Sequence, residues 1–423
     1  MVIGTEIAAG TIAAEQVQRI LAEGLEHLEA QSKSILVILP DQTRSGPTAL
    51  FFEIFCELLS PKAKCLDFLI ALGTHPPLGP EKMDRLLGMD EAERARRYEN
   101  VKVHNHRWDD PGQLATVGTI PAEKIAEASE GLMAEEVVVR LNKMVIEHDL
   151  VIICGPVFPH EVVGFSGGNK YFFPGVAAPE IINFTHWLGA VKTCPRTMGN
   201  KYTATRKVID MAADFLEVQR AGCCFVMRGE ELAGVYFGDI EEAWSAAADL
   251  SAQVNIRYVE KPYHTVLAVM PKMYEDIWTA GKGMYKLEPV VADGGTLIIW
   301  APHIEEVSYT HGELIEGVGY HVCAFFLKQA DMYKDIPGGI RAHCTHVKGI
   351  GSFEDGVERP RINVVLATKI SPERCRQINL GYSNPDEIEP ADYQGREDEG
   401  ILYVPKAGEI LYRLKNPPDW QKA

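Results

Sequence analysis

Three runs of apolar residues constrain what this chain can become: SILVILP at 34–40, CLDFLIAL at 65–72 and LVIICGPV at 150–157. A strand with one wet face alternates apolar and polar residues, whereas a nearly continuous apolar run must be covered on both faces. Helical patterns separate these runs, TALFFEIFCELL (48–59) after the first and EKMDRLLGM (81–89) after the second, and VKVHNH (101–106) reads as one more strand. Strands and helices in this order predict a mostly parallel sheet with helices on both sides. In such sheets ligands gather beyond the carboxyl ends of the strands. The residues that bear chemistry fall there: Asp41, Thr43 and Arg44 after one strand, Thr74 and His75 after the next, then His106 and His160.

The 423 residues exceed one ordinary core and predict two domains. ATRKVIDMAADFLEV (204–218) reads as a helix, followed by a hairpin turning near Gly229 and the helix EEAWSAAADLSAQVN (241–255). A fresh unit begins at YHTVLAVMPK (263–272), continues through a helix around 277–292 and returns as GGTLIIWAP (294–302). The boundary is placed near 256–262, giving an N-terminal cofactor-binding domain over 1–258 and a C-terminal α/β domain over 259–423. The Pro-rich tail after 380 shows no assignable pattern. A net charge of −17 repels polyanions, which excludes nucleic acid and anionic membrane surfaces as expected partners. No run reaches the ~20 apolar residues of a membrane span. The opening MVIGTEIAAG lacks the basic region of a secretory signal. Nine cysteines, an odd number without a CxxC pair, predict free thiols, mostly buried, in a reducing cytoplasm.

The segment PHEVVGFSGGNKYFFPGV (159–176) carries the densest chemistry. Gly164, Gly167 and Gly168 permit tight or left-handed backbone, and Lys170 stands on the resulting turn. A phosphate loop requires Gly-Lys-Ser/Thr; here Lys170 lies between Asn169 and Tyr171, so that reading fails. A lysine among aromatics such as Phe165, Tyr171, Phe172 and Phe173 loses its proton more readily and gains use as a nucleophile. His160 precedes Lys170 by 10 positions and His186 follows it by 16. Neutral imidazole is both a metal ligand and a proton carrier. By themselves these residues leave three readings open: separate turn-capping histidines, a zinc hydrolase using His106, His160 and His186, or a non-enzymatic protein that binds a small anion.

The whole pattern, His160, then GFSGGNK with Lys170, then Pro-Gly, then FTH with His186, resembles the nickel-pincer-nucleotide lactate racemase family. The resemblance extends to DQTR (41–44), ALGTH (71–75), NHRWDDP (105–111), TAGKGM (279–284) and VVADGGTLIIWA (290–301). It implies two α/β domains, each with a mostly parallel sheet flanked by helices, with the active site in the cleft between them. It implies racemisation or epimerisation of a 2-hydroxy acid by reversible hydride transfer to a nickel-pincer nucleotide attached covalently at Lys170. His186 would be the nickel ligand, and His106 and His160 the paired acid–base residues. Asp41, Thr43, Arg44, Gly73, Thr74, His75 and Pro76 would line the nucleotide or substrate, with Thr279 and Lys282 contributed by the second domain. The implied partners are a small 2-hydroxy acid and the enzymes that build the cofactor. Two positions depart from the family: Pro76 stands where arginine is usual, and Thr279 where glutamine is usual. No tryptophan occupies the C-terminal region where the lactate enzyme has one. The departures predict the same chemistry on a substrate other than, and larger than, lactate.

Overall fold

The apolar runs lie side by side at the centre of a seven-stranded sheet. Its strands are β1 (Val2–Glu6), β2 (Ser34–Pro40), β3 (Cys65–Ala71), β4 (Val101–Asn105), β5 (Leu150–Pro156), β6 (Gln219–Arg228) and β7 (Glu231–Gly238). In space they run β1-β7-β6-β5-β2-β3-β4. The neighbours from β6 to β4 are parallel, and the β6–β7 hairpin turns at Gly229 as expected, adding antiparallel β7 and β1 at one edge. Along β2, Ile35, Val37 and Leu39 pack into the core formed with the helices Ala14–Glu26 and Thr48–Leu59. The alternate residues Leu36 and Ile38 are equally buried on the other face. This two-sided burial is why these strands show no polar alternation.

A second sheet of five strands is parallel throughout: β8 (Tyr263–Val269), β9 (Val291–Ala301), β10 (Asn363–Thr368), β11 (Gly381–Tyr382) and β12 (Ile401–Val404), ordered β11-β10-β9-β8-β12. The tail without an assignable pattern therefore supplies both edge strands, β11 and β12. It also supplies Leu411–Leu414, which pairs in parallel with Ile256–Val259, so the segment read as a linker contains a short strand. The helix expected around 277–292 is instead three short pieces, Ile277–Ala280, Lys282–Tyr285 and a 3₁₀ turn Glu288–Val290. Gly281 divides the first two pieces and Pro289 lies within the third, residues with poor helix propensity, and β9 begins three residues earlier than the GGTLIIWAP reading.

The computed structural model describes residues 1–422, which divide into two compact units. The first comprises Met1–Phe158, Phe165–Ile182 and Arg206–Val254; the second comprises Pro159–Gly164, Asn183–Thr205 and the described residues from Asn255 onward. The first unit ends at Val254, and two short segments from the first half of the chain count with the second unit. All nine cysteines are free and seven are buried; burial pushes the Cys56 and Cys224 thiols up to about 12. No helix among the described residues is long and apolar enough to cross a membrane.

In the first unit, Phe51 on the helix Thr48–Leu59 stacks on Phe225 of β6 at 4.6 Å between ring centres and 14° between planes, both rings fully buried. Truncating a buried phenylalanine costs about 3–5 kcal/mol through lost transfer energy and the cavity left behind. Phe51→Ala is expected to lower the midpoint of chemical unfolding accordingly, and an unchanged midpoint contradicts this placement of the core.

Candidate active site

The glycine–lysine segment is fixed from behind before it presents anything in front. Arg206 is buried and donates to the Phe165 carbonyl at 2.6 Å and the Gly167 carbonyl at 3.3 Å, while its guanidinium lies 4.2 Å from the Trp244 ring centre. Trp244 Nε1 donates to the Ser166 carbonyl at 2.9 Å, and Asn169 Nδ2 donates to Asp210 at 3.0 Å. Ser166 Oγ donates to the Pro156 carbonyl and accepts from the Phe158 amide. Burial lowers Arg206 to about 10, which leaves it charged at neutral pH.

The glycines here are required by both conformation and space. Gly167 and Gly168 have φ of +80° and +62°. A Cβ on Gly167 would meet Val157 at 2.7 Å, and one on Gly168 would meet Trp244 at 2.9 Å. Lys170 sits half-buried in the short 3₁₀ turn Gly168–Tyr171, and the Phe173–Pro174 peptide that follows is cis.

The exit of this loop ties it to the strand ends. The Gly175 carbonyl accepts from Gly73 N at 2.9 Å, the Val176 carbonyl from Asn142 N at 2.8 Å and the Ala177 carbonyl from His106 Nε2 at 2.9 Å. Three consecutive carbonyls thus join the ALGTH loop, Asn142 and His106 to the lysine segment. His106 is fully buried, and Asn142 Nδ2 approaches its Nδ1 at 3.4 Å. Burial pushes the His106 imidazole down to about 4, against the opposing pull of the Ala177 hydrogen bond. With its hydrogen on Nε2, the neutral ring keeps a basic lone pair on Nδ1.

At the end of β2, Asp41 accepts from the Thr43 amide at 3.0 Å, from the Thr43 hydroxyl at 2.7 Å and from His75 Nδ1. Burial alone would raise the Asp41 carboxyl. The charge and hydrogen bond of His75, with Arg44 and Thr43 behind them, hold it well below the usual carboxylate range. Asp41 therefore orients His75 and closes the DQTR turn rather than presenting its own charge outward. Arg44, Gly73, Thr74 and His75 are half-buried beside it, and Pro76 is exposed.

The second unit holds His160, His186, Thr279 and Lys282. His160 is buried; its Nδ1 accepts from the Val162 amide at 3.2 Å, so a neutral ring carries its hydrogen on Nε2. His186 is half-buried on the helix Pro179–Lys192. Thr279 uses its hydroxyl and amide on Asp276, at 2.8 Å and 3.0 Å, in capping the turn before Lys282. Lys282 is buried, with Nζ 4.6 Å from the Tyr274 ring centre.

Around this turn stand residues that the motif reading did not reach. Trp278 lies between His311 and His343, with ring centres 4.6 Å and 4.4 Å away, and the Tyr320 hydroxyl is 3.2 Å from His343 Nε2. A Cβ on Gly281 would come within 3.4 Å of His343 Cε1. Burial, reinforced by His346, His311 and His186, holds His343 well below the ordinary histidine range. The signal in the chain was AHCTH (342–346), two histidines three apart on one helix face.

The shift at His106 has a consequence for stability. An unfolded histidine takes up a proton near 6.5, whereas folded His106 stays neutral down to about 4. Between those values the unfolded chain binds more protons. This contribution is therefore complete above the unfolded value and lost as pH falls through the folded one. Urea unfolding is expected to show lower stability at about pH 5 than at about pH 7. His106→Gln, whose amide can still donate to Ala177, should flatten the difference; an unchanged slope contradicts the assignment.

Residues 5–198 match the family described as lactate racemase N-terminal domain. The chain is 25% identical over 289 residues to a lactate racemase of Thermoanaerobacterium thermosaccharolyticum and 24% identical over 285 residues to one of Lactiplantibacillus plantarum. In both cases 66% of this chain is covered, and the match spans 62% of the relative's length. A solved protein of Thermotoga maritima is 31% identical, with 97% of this chain and 100% of that chain covered, at a TM-score of 0.89. The lactate racemase apoprotein of Thermoanaerobacterium thermosaccharolyticum, 19% identical, shares the fold over 96% of this chain and 94% of its own, at a TM-score of 0.70. Residues 5–198 thus carry a lactate racemase N-terminal domain, and the chain is a homologue of the lactate racemases.

Proposed function

We propose that this protein is an isomerase that inverts the hydroxyl-bearing carbon of a 2-hydroxy acid, using a nickel-pincer nucleotide held covalently at Lys170. The observation that carries the reading is the intact His160–Lys170–His186 block, with its lysine loop pinned by Arg206, inside a chain of lactate racemase ancestry. The residues fit such a group. Gly167 and Gly168 leave no space for side chains at the base of the loop, so the turn bearing Lys170 is tightly defined. His186 supplies an imidazole, a ligand type that suits Ni(II). When bound, the nucleotide supplies a reversible acceptor for the hydride on the substrate carbon.

The chain's own residues handle the proton. His106, neutral at physiological pH, offers a base at Nδ1, and His160 offers a second imidazole whose Nδ1 accepts from the Val162 amide. A neutral imidazole accepts the hydroxyl proton and becomes imidazolium, a protonated imidazole returns a proton to the carbonyl oxygen and becomes neutral, and the roles exchange for the opposite enantiomer. General acid–base help of this kind is worth about 10²–10⁴-fold. Lys282 offers a cation for the substrate carboxylate, while Arg44 offers a planar partner for the nucleotide phosphate, a geometry that favours bidentate pairing. Pro76 and Thr279 change the side chains expected near the substrate, and we assign a 2-hydroxy acid other than, or in addition to, lactate.

The test is a panel of single-enantiomer 2-hydroxy acids deuterated at the reacting carbon, incubated with nickel-loaded protein made alongside the cofactor pathway. The expected outcome is inversion of at least one substrate with deuterium kept in the product, and a loss of about 10²-fold or more in kcat for His160→Gln. Washing out of the deuterium into solvent would point to a carbanion route and overturn the hydride reading. Inversion of none of the panel would overturn the proposed activity.

A further inference from the structure

The amino-terminal half of β3 carries a polar cluster that the proposed activity does not use. Leu66, Phe68 and Ile70 face the helix-covered core, so Cys65 and Asp67 share the opposite face of the strand. Asp67 Oδ1 lies 3.0 Å from His104 Nε2 on β4, and Asp67 Oδ2 lies 3.0 Å from His148 Nε2, just before β5. A ligand atom from each of Cys65, Asp67 and His148 falls within 4.8 Å of the other two.

His148 exposes the difficulty in this arrangement. Its Nδ1 meets the Met144 carbonyl at 2.7 Å. A carbonyl oxygen only accepts, so Nδ1 carries a hydrogen, and a neutral ring then has only a lone pair on Nε2. That lone pair faces a carboxylate oxygen at hydrogen-bonding distance. Something positive must separate the two, either a second ring proton or a cation.

The surroundings favour a cation. Thiolate, imidazole and carboxylate are the donors that zinc takes, and bonds of ~2.0–2.3 Å place tetrahedral ligand atoms roughly 3.3–3.8 Å apart. Asp67 lies 3.0 Å from each histidine, and the Cys65, Asp67 and His148 donor atoms all lie within 4.8 Å of one another, close enough to converge on one ion. A ring that donates from one nitrogen to a backbone carbonyl and turns the other inward is the usual arrangement of a ligating histidine. The Asp67 and His148 side chains are 15% and 9% exposed, whereas His104 at 38% leaves an approach from solvent.

We propose that Cys65, Asp67, His148 and His104 form a site for a divalent cation of the zinc class. It is separate from the nickel centre proposed above, and it ties β3, the edge strand β4 and the entry to β5 at one side of the sheet.

Cobalt(II) is the probe, titrated into full-length, chelator-treated protein made without the cofactor pathway. The expected result is a tetrahedral cobalt spectrum with a thiolate-to-cobalt charge-transfer band at one equivalent. Cys65→Ser should abolish the band, and His148→Gln should weaken cobalt binding by about 10-fold or more. Circular dichroism verifies that the variants fold, and Cys65→Ser, the mildest change, keeps the test usable should His148→Gln fail to fold. Absence of the band, or its persistence in Cys65→Ser, overturns the site and leaves His148 as a protonated partner of Asp67.

Discussion

A buried guanidinium organises the chemistry of this protein. Removing an arginine from water costs several kcal/mol unless its hydrogens are taken up, and Arg206 meets that cost with the carbonyls of Phe165 and Gly167 and the face of Trp244. Those carbonyls belong to a tight glycine-rich segment, and without Arg206 the Gly167 carbonyl would keep only the long 3.4 Å bond from the Lys170 amide. Arginine and glycine loop therefore depend on each other. The loop is a rigid platform because its polar groups face inward to Arg206, Trp244 and Asp210, leaving the turn at Lys170 as the part that is presented.

From that platform the order propagates by backbone hydrogen bonds. The carbonyls of Gly175, Val176 and Ala177 reach the ALGTH loop, Asn142 and His106 in succession. A shift in the lysine turn would pull on all three. The same bond that holds His106 also sets its tautomer, and burial keeps it neutral, so its position and its basicity have a common origin. Asp41 plays the comparable role for His75, spending its charge on orientation. Both histidines are thus defined by groups that need never touch a substrate.

The parallel sheet was legible because continuous apolar runs have one economical solution, burial on both faces, and β2, β3 and β5 adopt it. The β6–β7 hairpin was legible from its Gly229 turn. The region around 277–292 was not, because its apolar content resembles a helix while Gly281 and Pro289 interrupt it locally. The tail after 380 failed for a related reason: its edge strand Ile401–Val404 is only four residues long and is stabilised by β8, more than a hundred positions away. Motif spacing drew attention to Lys170, His160 and His186, residues whose expected roles rest on their neighbours along the chain. It did not reach Trp278, His311, His343 and Tyr320, which come together only through folding, nor the hydrogen bonds by which Asp41, expected beside the nucleotide or substrate, holds Thr43 and His75. The Arg206 anchor was equally invisible, since nothing in ATRKVID announces a buried cation.

The central claim is that the platform exists to present one amine for covalent attachment of a nickel-bearing nucleotide. Intact-mass measurement combined with nickel quantification tests it most directly, on protein produced together with the enzymes that build the nucleotide. The account predicts a single mass adduct with nickel in equal amount to the chain, both absent from Lys170→Ala. An unmodified mass in the parent protein, or an adduct that survives Lys170→Ala, contradicts it.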